Sequence, residues 1–246
     1  MRSLIISDIH ANGEALDAVI EDARGRYDQA VCLGDLVGYG ASPGKVIDWV
    51  KANTHAVVRG NHDKAVAGLD PMEDFNLLAR LAVRWTQEQL TPGQMEYLRT
   101  LPEGPLMHDD VELAHGSPED EDEYLLNAID VEYVTPAMQR RVCFIGHTHM
   151  QGGFTFEKGR PERLVKPKGS APEAVLHLRP DVYYLLNPGS VGQPRDADPR
   201  AAYAIYDSGE RTVTYRRVSY AIGEAQRNIV KAGLPELLAS RLALGR

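Results

Sequence analysis

Apolar positions recur along this chain in two rhythms, and the switches between them predict the order of its elements. Residues 3–7 form a short β-run, apolar from Leu4 to Ile6, of the kind a buried strand makes. From Asn12 the spacing changes, and Ala15, Leu16, Val19 and Ile20 fall on one face of a helix. Residues 29–33 are strand-like again. Pro43 with Val46, Ile47 and Val50 marks a second helix with proline in its first turn, and residues 56–58 make a third strand. Such alternation predicts a parallel sheet with helices on its faces, in which ligands gather at the carboxyl ends of the strands.

Residues 63–100 read as helical, with Leu77, Leu78, Leu81 and Trp85 on one apolar stripe and a fresh start at Thr91-Pro92. This segment is expected to be a flank or lid. Residues 105–108 and 111–115 look like two strands turning at Asp109-Asp110, and residues 142–145 are another strand. Beyond Gly152 the alternating runs at 174–178, 182–186, 202–206 and 212–218 predict a second, largely antiparallel sheet packed face to face on the first. Residues 222–244 return to helix, interrupted at Gly233 and Pro235. With no internal repeat or linker, residues 1–246 are expected to be a single domain.

Composition narrows the class. A hydrophobic content of 43% with 25% charged residues is that of a soluble globular protein. The net charge of −8 argues against a general nucleic-acid or anionic-membrane surface, since both need clustered Lys and Arg. Cys32 and Cys143 lie inside apolar runs and are expected to be buried free thiols. No apolar stretch approaches the roughly 18 residues of a membrane span. A cleavable leader would remove part of the first motif described below, so a cytoplasmic location is expected.

Five short motifs follow the predicted strands: Asp8-Ile9-His10, Gly34-Asp35, Gly60-Asn61-His62-Asp63, His115-Gly116 and Gly146-His147-Thr148-His149. Carboxylate, amide and imidazole donors without thiolate suit a borderline divalent ion such as manganese, iron or zinc. The donors are too many for one four-coordinate ion, so two are expected. Two cations roughly 3.5–4 Å apart need a shared ligand and acidify the water between them to a nucleophile. Asp35 is the candidate bridge. Asp8 and His10 could serve one ion only if the chain leaves its extended form at Ile9. Asn61 offers a neutral oxygen, so two divalent cations facing only two carboxylates keep a positive surplus that attracts phosphate. His147 and His149 would diverge, one toward each ion, if they lie in a turn just past their strand.

Together the motifs, from Asp8 to His149, resemble the calcineurin-like metallophosphoesterase superfamily. Within it, residues 187–195 (NPGSVGQPR) are similar to a signature of its small bacterial and archaeal phosphodiesterase branch. The resemblance implies a four-layer α-β-β-α sandwich with one mixed and one largely antiparallel sheet. It implies that Asp8, His10, Asp35 and His149 hold one metal and that Asp35, Asn61, His115 and His147 hold the other. Manganese leads as the metal, with zinc, iron, nickel or magnesium compatible. It further implies that His62 is the proton donor over the substrate, with Asp63 fixing its ring. Asn61, His62 and Arg195 are the candidate substrate contacts, and Tyr39 could stack on a substrate ring.

The chain departs from some relatives. Where phosphatases of this superfamily carry Asp-Arg-Gly after the bridging aspartate, it has Gly38-Tyr39-Gly40, without the phosphate-clamping arginine. The acidic run at residues 119–123 is expected to be a solvated loop that repels polyanions. The leading expectation is a hydrolase of small phosphodiesters or phosphomonoesters, with no nucleic-acid or membrane partner and an open oligomeric state. Against it stand a nuclease and a non-catalytic protein-binding scaffold of the same fold. The intact ligand set and His62 weigh against the scaffold.

Overall fold

The computed structural model describes residues 1–164 and 171–246. The chain opens with strand β1 (Arg2–Ile6), helix α1 (Gly13–Ala23), β2 (Gln29–Cys32), α2 (Pro43–Asn53) and β3 (Ala56–Val57). Then come α3 (Asn61–Val66), α4 (Leu77–Gln89) and α5 (Pro92–Thr100). Strands β4 (Leu106–His108) and β5 (Val111–Leu113), helix α6 (Ala128–Val134) and strands β6 (Val142–Phe144), β7 (Gly152–Glu157) and β8 (Arg160–Leu164) follow. The last part contains β9 (Glu173–His177), β10 (Tyr183–Asn187), β11 (Ala201–Asp207), β12 (Thr212–Val218), α7 (Ile222–Lys231) and α8 (Glu236–Leu242). Side-chain caps set several helix starts: Asn12 accepts from the Ala15 amide at 3.1 Å, and Thr91 and Gln94 form a reciprocal capping box.

Two six-stranded sheets result, ordered β3-β2-β1-β11-β12-β9 and β4-β5-β6-β10-β7-β8. In the first, β1, β2 and β3 run parallel while β11, β12 and β9 add antiparallel. In the second, β5, β6 and β10 run parallel, with antiparallel neighbours at both ends. The grouping of all the late strands in one sheet is therefore corrected. Residues 174–178, 202–206 and 212–218 extend the first sheet, and only 182–186 enters the second. Alternation fixes which face of a strand is buried but not which edge it joins. Here β11 docks on β1, with Ser3 opposite Tyr206.

Ile5, Val31 and Leu33 face Leu113, Phe144 and Leu186 in the layer between the sheets. Leu4, Ile6 and Cys32 point the other way, against Leu16 and Val19 of α1 and Val46 and Ile47 of α2. On the outside of the second sheet, Val131 and Val134 of α6 cover Cys143, Ile145 and Leu185. These layers are the expected α-β-β-α sandwich, and both thiols are buried and free. Burial on both faces is why β1 reads as an unbroken apolar run.

Helix α4 corrects a second expectation. Leu77 and Leu81 are 69% and 41% exposed, while Ala79, Ala82, Val83 and Thr86 make the buried face. Small residues let α4 approach α3 and the C-terminal helices closely, which bulky leucines would prevent. Leu78 and Trp85 touch that cluster from its edge. The region is thus a packed flank. Helices α7 and α8 break around Gly233, whose φ of +74° suits glycine.

Candidate metal centre

The loops after β1, β2, β3, β5 and β6 meet at one end of the sandwich and carry the predicted donors. Asp8, His10, Asp35, His115, His147 and His149 are all buried. Their backbone is unusual. Asp8, His10, Asp35, His147 and His149 have φ of 52°, 47°, 53°, 62° and 58°, a left-handed region that costs a non-glycine residue roughly 1–2 kcal/mol. The chain therefore leaves its extended form at Asp8 and His10, on either side of Ile9. Such strain persists only where the surroundings over-determine it. Here the Asp8 and His10 amides donate to the Gly34 and Asp35 carbonyls at 3.0 and 2.9 Å, and the Gly192 amide donates to the Asp8 carbonyl at 3.0 Å. Gly60 is required for a different reason: a Cβ there would lie 2.2 Å from Asp35 Oδ1.

The donors form two clusters sharing Asp35: Asp8, His10, Asp35 and His149, and Asp35, His115 and His147, with ligand atoms in each within 4.8 Å of one another. Asp35 Oδ1 accepts the His62 amide at 2.9 Å. Asp35 Oδ2 is left between the clusters, 3.4 Å from His10 Nε2 and 3.5 Å from His115 Nε2. A single oxygen, rather than both, is thus placed to bridge. The Nδ1 atoms of His10, His115 and His149 lie 3.0, 2.7 and 2.6 Å from the carbonyls of Val37, Leu33 and Gln193. A carbonyl only accepts, so each ring donates there and turns its Nε2 lone pair inward.

The inward nitrogens then oppose one another. His10 Nε2 is 3.1 Å from His149 Nε2, and His115 Nε2 is 3.1 Å from His147 Nδ1. Asp8 Oδ2 and Asn61 Oδ1 are buried acceptors that no donor reaches. Lone pairs facing lone pairs, beside orphaned oxygens, fit a pair of divalent cations. For three of the four rings the electrostatics agree. Burial holds His10 and His149 well below the usual imidazole range and His147 at about 3, so these rings stay neutral, as ligands must. Burial also pulls on His115, but Asp35 beside it raises that ring to about 10, so a cation bound there would have to displace the proton on Nε2. Burial and the charge of Asp35 push Asp8 up to about 7.

His62 lies over this centre, 4.9 Å from the His10 ring, 4.5 Å from Tyr39 and 4.9 Å from Phe75 between centroids. The expectation that Asp63 fixes this ring is corrected. Asp63 Oδ1 accepts the Leu36 and Val37 amides at 2.9 and 3.3 Å, and Oδ2 accepts the Gly60 amide at 3.0 Å. Asp63 thereby ties the loop of Asp35 to the start of α3, while His62 Nδ1 has no partner. Three amides within reach of a carboxylate one residue away outcompete the imidazole. Tyr39 packs against His10 and His62 and is only 7% exposed. Arg195 is bound to the centre through its amide, which donates to the His149 carbonyl at 3.3 Å.

Asn187 donates to the Gly146 carbonyl at 2.7 Å, and Ser190 Oγ donates to the Asp8 carbonyl at 2.8 Å. The 187–193 stretch, whose proline and glycines read as a structural turn beneath the site, thus braces both donor loops. Other contributors were not foreseen. Phe75 and Tyr124 wall a cleft of about 310 Å³ above His62 and His147, with the Tyr124 ring 3.8 Å from that of His147. The acidic run that precedes Tyr124 is not merely solvated. Glu121 is buried and grips Arg59 with two 2.8 Å bonds, and Lys64 lies 3.1 Å from Glu121 and 2.8 Å from Asp122. Replacing Glu121 with alanine should cost about 2 kcal/mol, less than a fully buried pair because both cations touch solvent. That corresponds to a fall in Tm of roughly 4–8 °C in thermal denaturation. An unchanged Tm would mean that the run is a solvated loop after all.

Residues 1–211 match the family model described as the calcineurin-like phosphoesterase superfamily domain, and the chain belongs to that superfamily. Protein MJ0912 of Methanocaldococcus jannaschii is 36% identical over 249 residues, covering 98% of this chain and 97% of its own. Among solved structures, a metallophosphoesterase from Sphaerobacter thermophilus aligns with TM-score 0.86 and 40% identity over 100% of this chain and 99% of its own. Protein PH1004 of Pyrococcus horikoshii OT3 shares the fold at TM-score 0.80 and 20% identity, over 100% of this chain and 98% of its own. No helix among the described residues is long and apolar enough to cross a membrane.

Proposed function

We propose that this metallophosphoesterase hydrolyses phosphodiester bonds of small substrates at a two-metal centre, with manganese as the leading metal. Asp8, His10, Asp35 and His149 would hold one ion, and Asp35, Asn61, His115 and His147 the other. The observation that carries this reading is the single free oxygen of Asp35 between His10 and His115, with opposed imidazole lone pairs on either side. A bound divalent pair supplies Lewis acidity and acidifies a water to a nucleophile near neutral pH.

The protein's own groups do the rest. Asn61 and His62 line the cleft floor, where a phosphate would sit. His62 hands a proton to the departing oxygen, and Tyr39 and Phe75 pack its ring in place. Burial and the charge of Arg195 hold His62 at about 4 against the upward pull of Asp35. A phosphate anion seated beside the ring adds negative charge and raises that value. The cleft wall also carries Asp70, Asp74 and Asp122, which favours small substrates over duplex nucleic acid.

The test is an assay of metal-stripped protein reloaded with manganese, zinc, nickel or magnesium. Bis(p-nitrophenyl) phosphate, p-nitrophenyl phosphate and a duplex oligonucleotide are compared. The diester should turn over fastest and the duplex slowest. Inertness towards all three with every metal would favour the scaffold reading.

A further inference from the structure

We propose that Arg195 and Arg241 form an anion subsite beside the metal centre, which selects substrates carrying a second phosphate in addition to the scissile one. The proposal rests on the phosphodiesterase reading for its catalytic consequences, but the subsite itself stands on geometry.

The guanidinium carbons of Arg195 and Arg241 lie 5.9 and 5.8 Å from the centroid of one ring, that of Tyr39. That ring is itself 4.7 Å from His10 and 4.5 Å from His62. The two cations are therefore about one aromatic ring away from the reacting centre, a separation that a single sugar can span. They arrive from different parts of the chain: Arg195 follows the brace beneath the metal loops, and Arg241 comes from the last turn of α8. Packing of α8 against Ala79, Ala82 and Tyr39 fixes that approach.

Arg195 has no carboxylate partner: its Nη2 donates to Gln193 Oε1 at 3.1 Å, and its side chain also bonds the Tyr124 hydroxyl. Arg241 Nε donates to the main-chain oxygen of Arg246, the last residue of the sequence, at 3.0 Å. Among the described residues, neither pairs with a side-chain carboxylate. Arg195 Nε is buried without any partner. Elsewhere the protein pairs its partly buried arginines: Arg59 with Glu121, Arg216 with Asp22, and Arg217 with Asp196. Two half-buried guanidiniums that share a neighbour and face no side-chain carboxylate are costly, in a chain whose net charge is −8. Burial and the nearby Arg195 charge lower the Arg241 pKa, as expected of cations held together. An anionic oxygen group offers the bidentate partner that Arg195 lacks, and the neighbouring Arg241 charge adds to its attraction.

Arg195 and Arg241 are not among the residues lining the cleft that carries Asp70, Asp74 and Asp122, and Arg195 meets its wall only at Tyr124. The second phosphate is therefore assigned to the arginine side, and the aromatic cleft to the uncharged group across the scissile bond.

The test compares thymidine 5′-(p-nitrophenyl phosphate) with the same compound phosphorylated at the 3′ oxygen, a pair differing only in the second phosphate. Metal-loaded wild type should favour the 3′-phosphorylated diester by about tenfold or more in kcat/KM, mostly through KM. Arg241→Gln should erase most of that preference, and Arg241→Lys should restore part of it. Equilibrium binding of thymidine 3′,5′-bisphosphate against thymidine 5′-phosphate gives a readout independent of turnover, with the same order and the same loss in Arg241→Gln. No preference in wild type, or a preference that survives Arg241→Gln, would overturn the subsite. Retained binding preference without hydrolysis of either diester would instead leave the subsite standing and sink the phosphodiesterase reading.

Discussion

Asp35→Asn should empty both metal positions and lower kcat/KM on a model diester by about 10³-fold or more, several kcal/mol of lost stabilisation. The substitution preserves shape, so the geometry decides the outcome. The His62 amide donates to Oδ1 at 2.9 Å, and this bond holds the new amide oxygen at that position. The new NH₂ group is then forced between His10 Nε2 and His115 Nε2, where Oδ2 had been. It offers hydrogens to two lone pairs and nothing to a cation. The fold should survive, because losing the Asp35 charge relieves its repulsion of Asp8 and Asp63. Elemental analysis of the folded variant checks the claim. Tight retention of one ion would mean that Asp35 serves only the other.

His62→Ala should keep its metals and lose roughly 10²–10⁴-fold in kcat on diesters with an alkyl leaving group, the usual scale for general acid catalysis. The loss on a nitrophenyl leaving group should be far smaller, since that oxygen departs without a proton. Equal losses would show that His62 positions phosphate, and loss of metal would place it among the ligands. The pH dependence follows from the same role. Burial lowers the His62 pKa to about 4, so the charged donor grows as pH falls. Wild-type kcat on the alkyl diester should therefore rise as pH drops through the mildly acidic range in which metal content is unchanged. On the nitrophenyl diester it should stay nearly flat. A flat alkyl profile would count against His62 as donor.

The strands that end in ligands were legible because their residues are apolar on both faces, as Leu4, Ile5 and Ile6 are in β1. The ligand types were legible because each motif keeps its donors within a few residues. Pairings such as His10 with His149 come only from the meeting of loops that are distant in sequence. What sequence could not supply was choice among equivalent edges. The strand at 202–206 would satisfy its alternation in either sheet, and long-range pairing with β1 decided it. Helix α4 offered two faces, and the bulkier one, with Leu77 and Leu81, was the wrong guide because close approach favoured Ala79 and Ala82. Helix α6 was missed although Asn127 and Asp130 form a capping box that announces it. Asp63 was misread because adjacency to His62 suggested contact, whereas the carboxylate turns back to three amides. Tyr124 was hidden behind a run of acids whose ion pairs to Arg59 and Lys64 exist only in the fold.

The most direct test of the account is anomalous diffraction from crystals of manganese-loaded protein, with metal content measured on the same preparation. Two ions per chain should appear about 3.5–4 Å apart, with one oxygen of Asp35 bound to both, Asp8, His10 and His149 on one side, and Asn61, His115 and His147 on the other. A single ion, or two ions with Asp35 turned away from either, would contradict it.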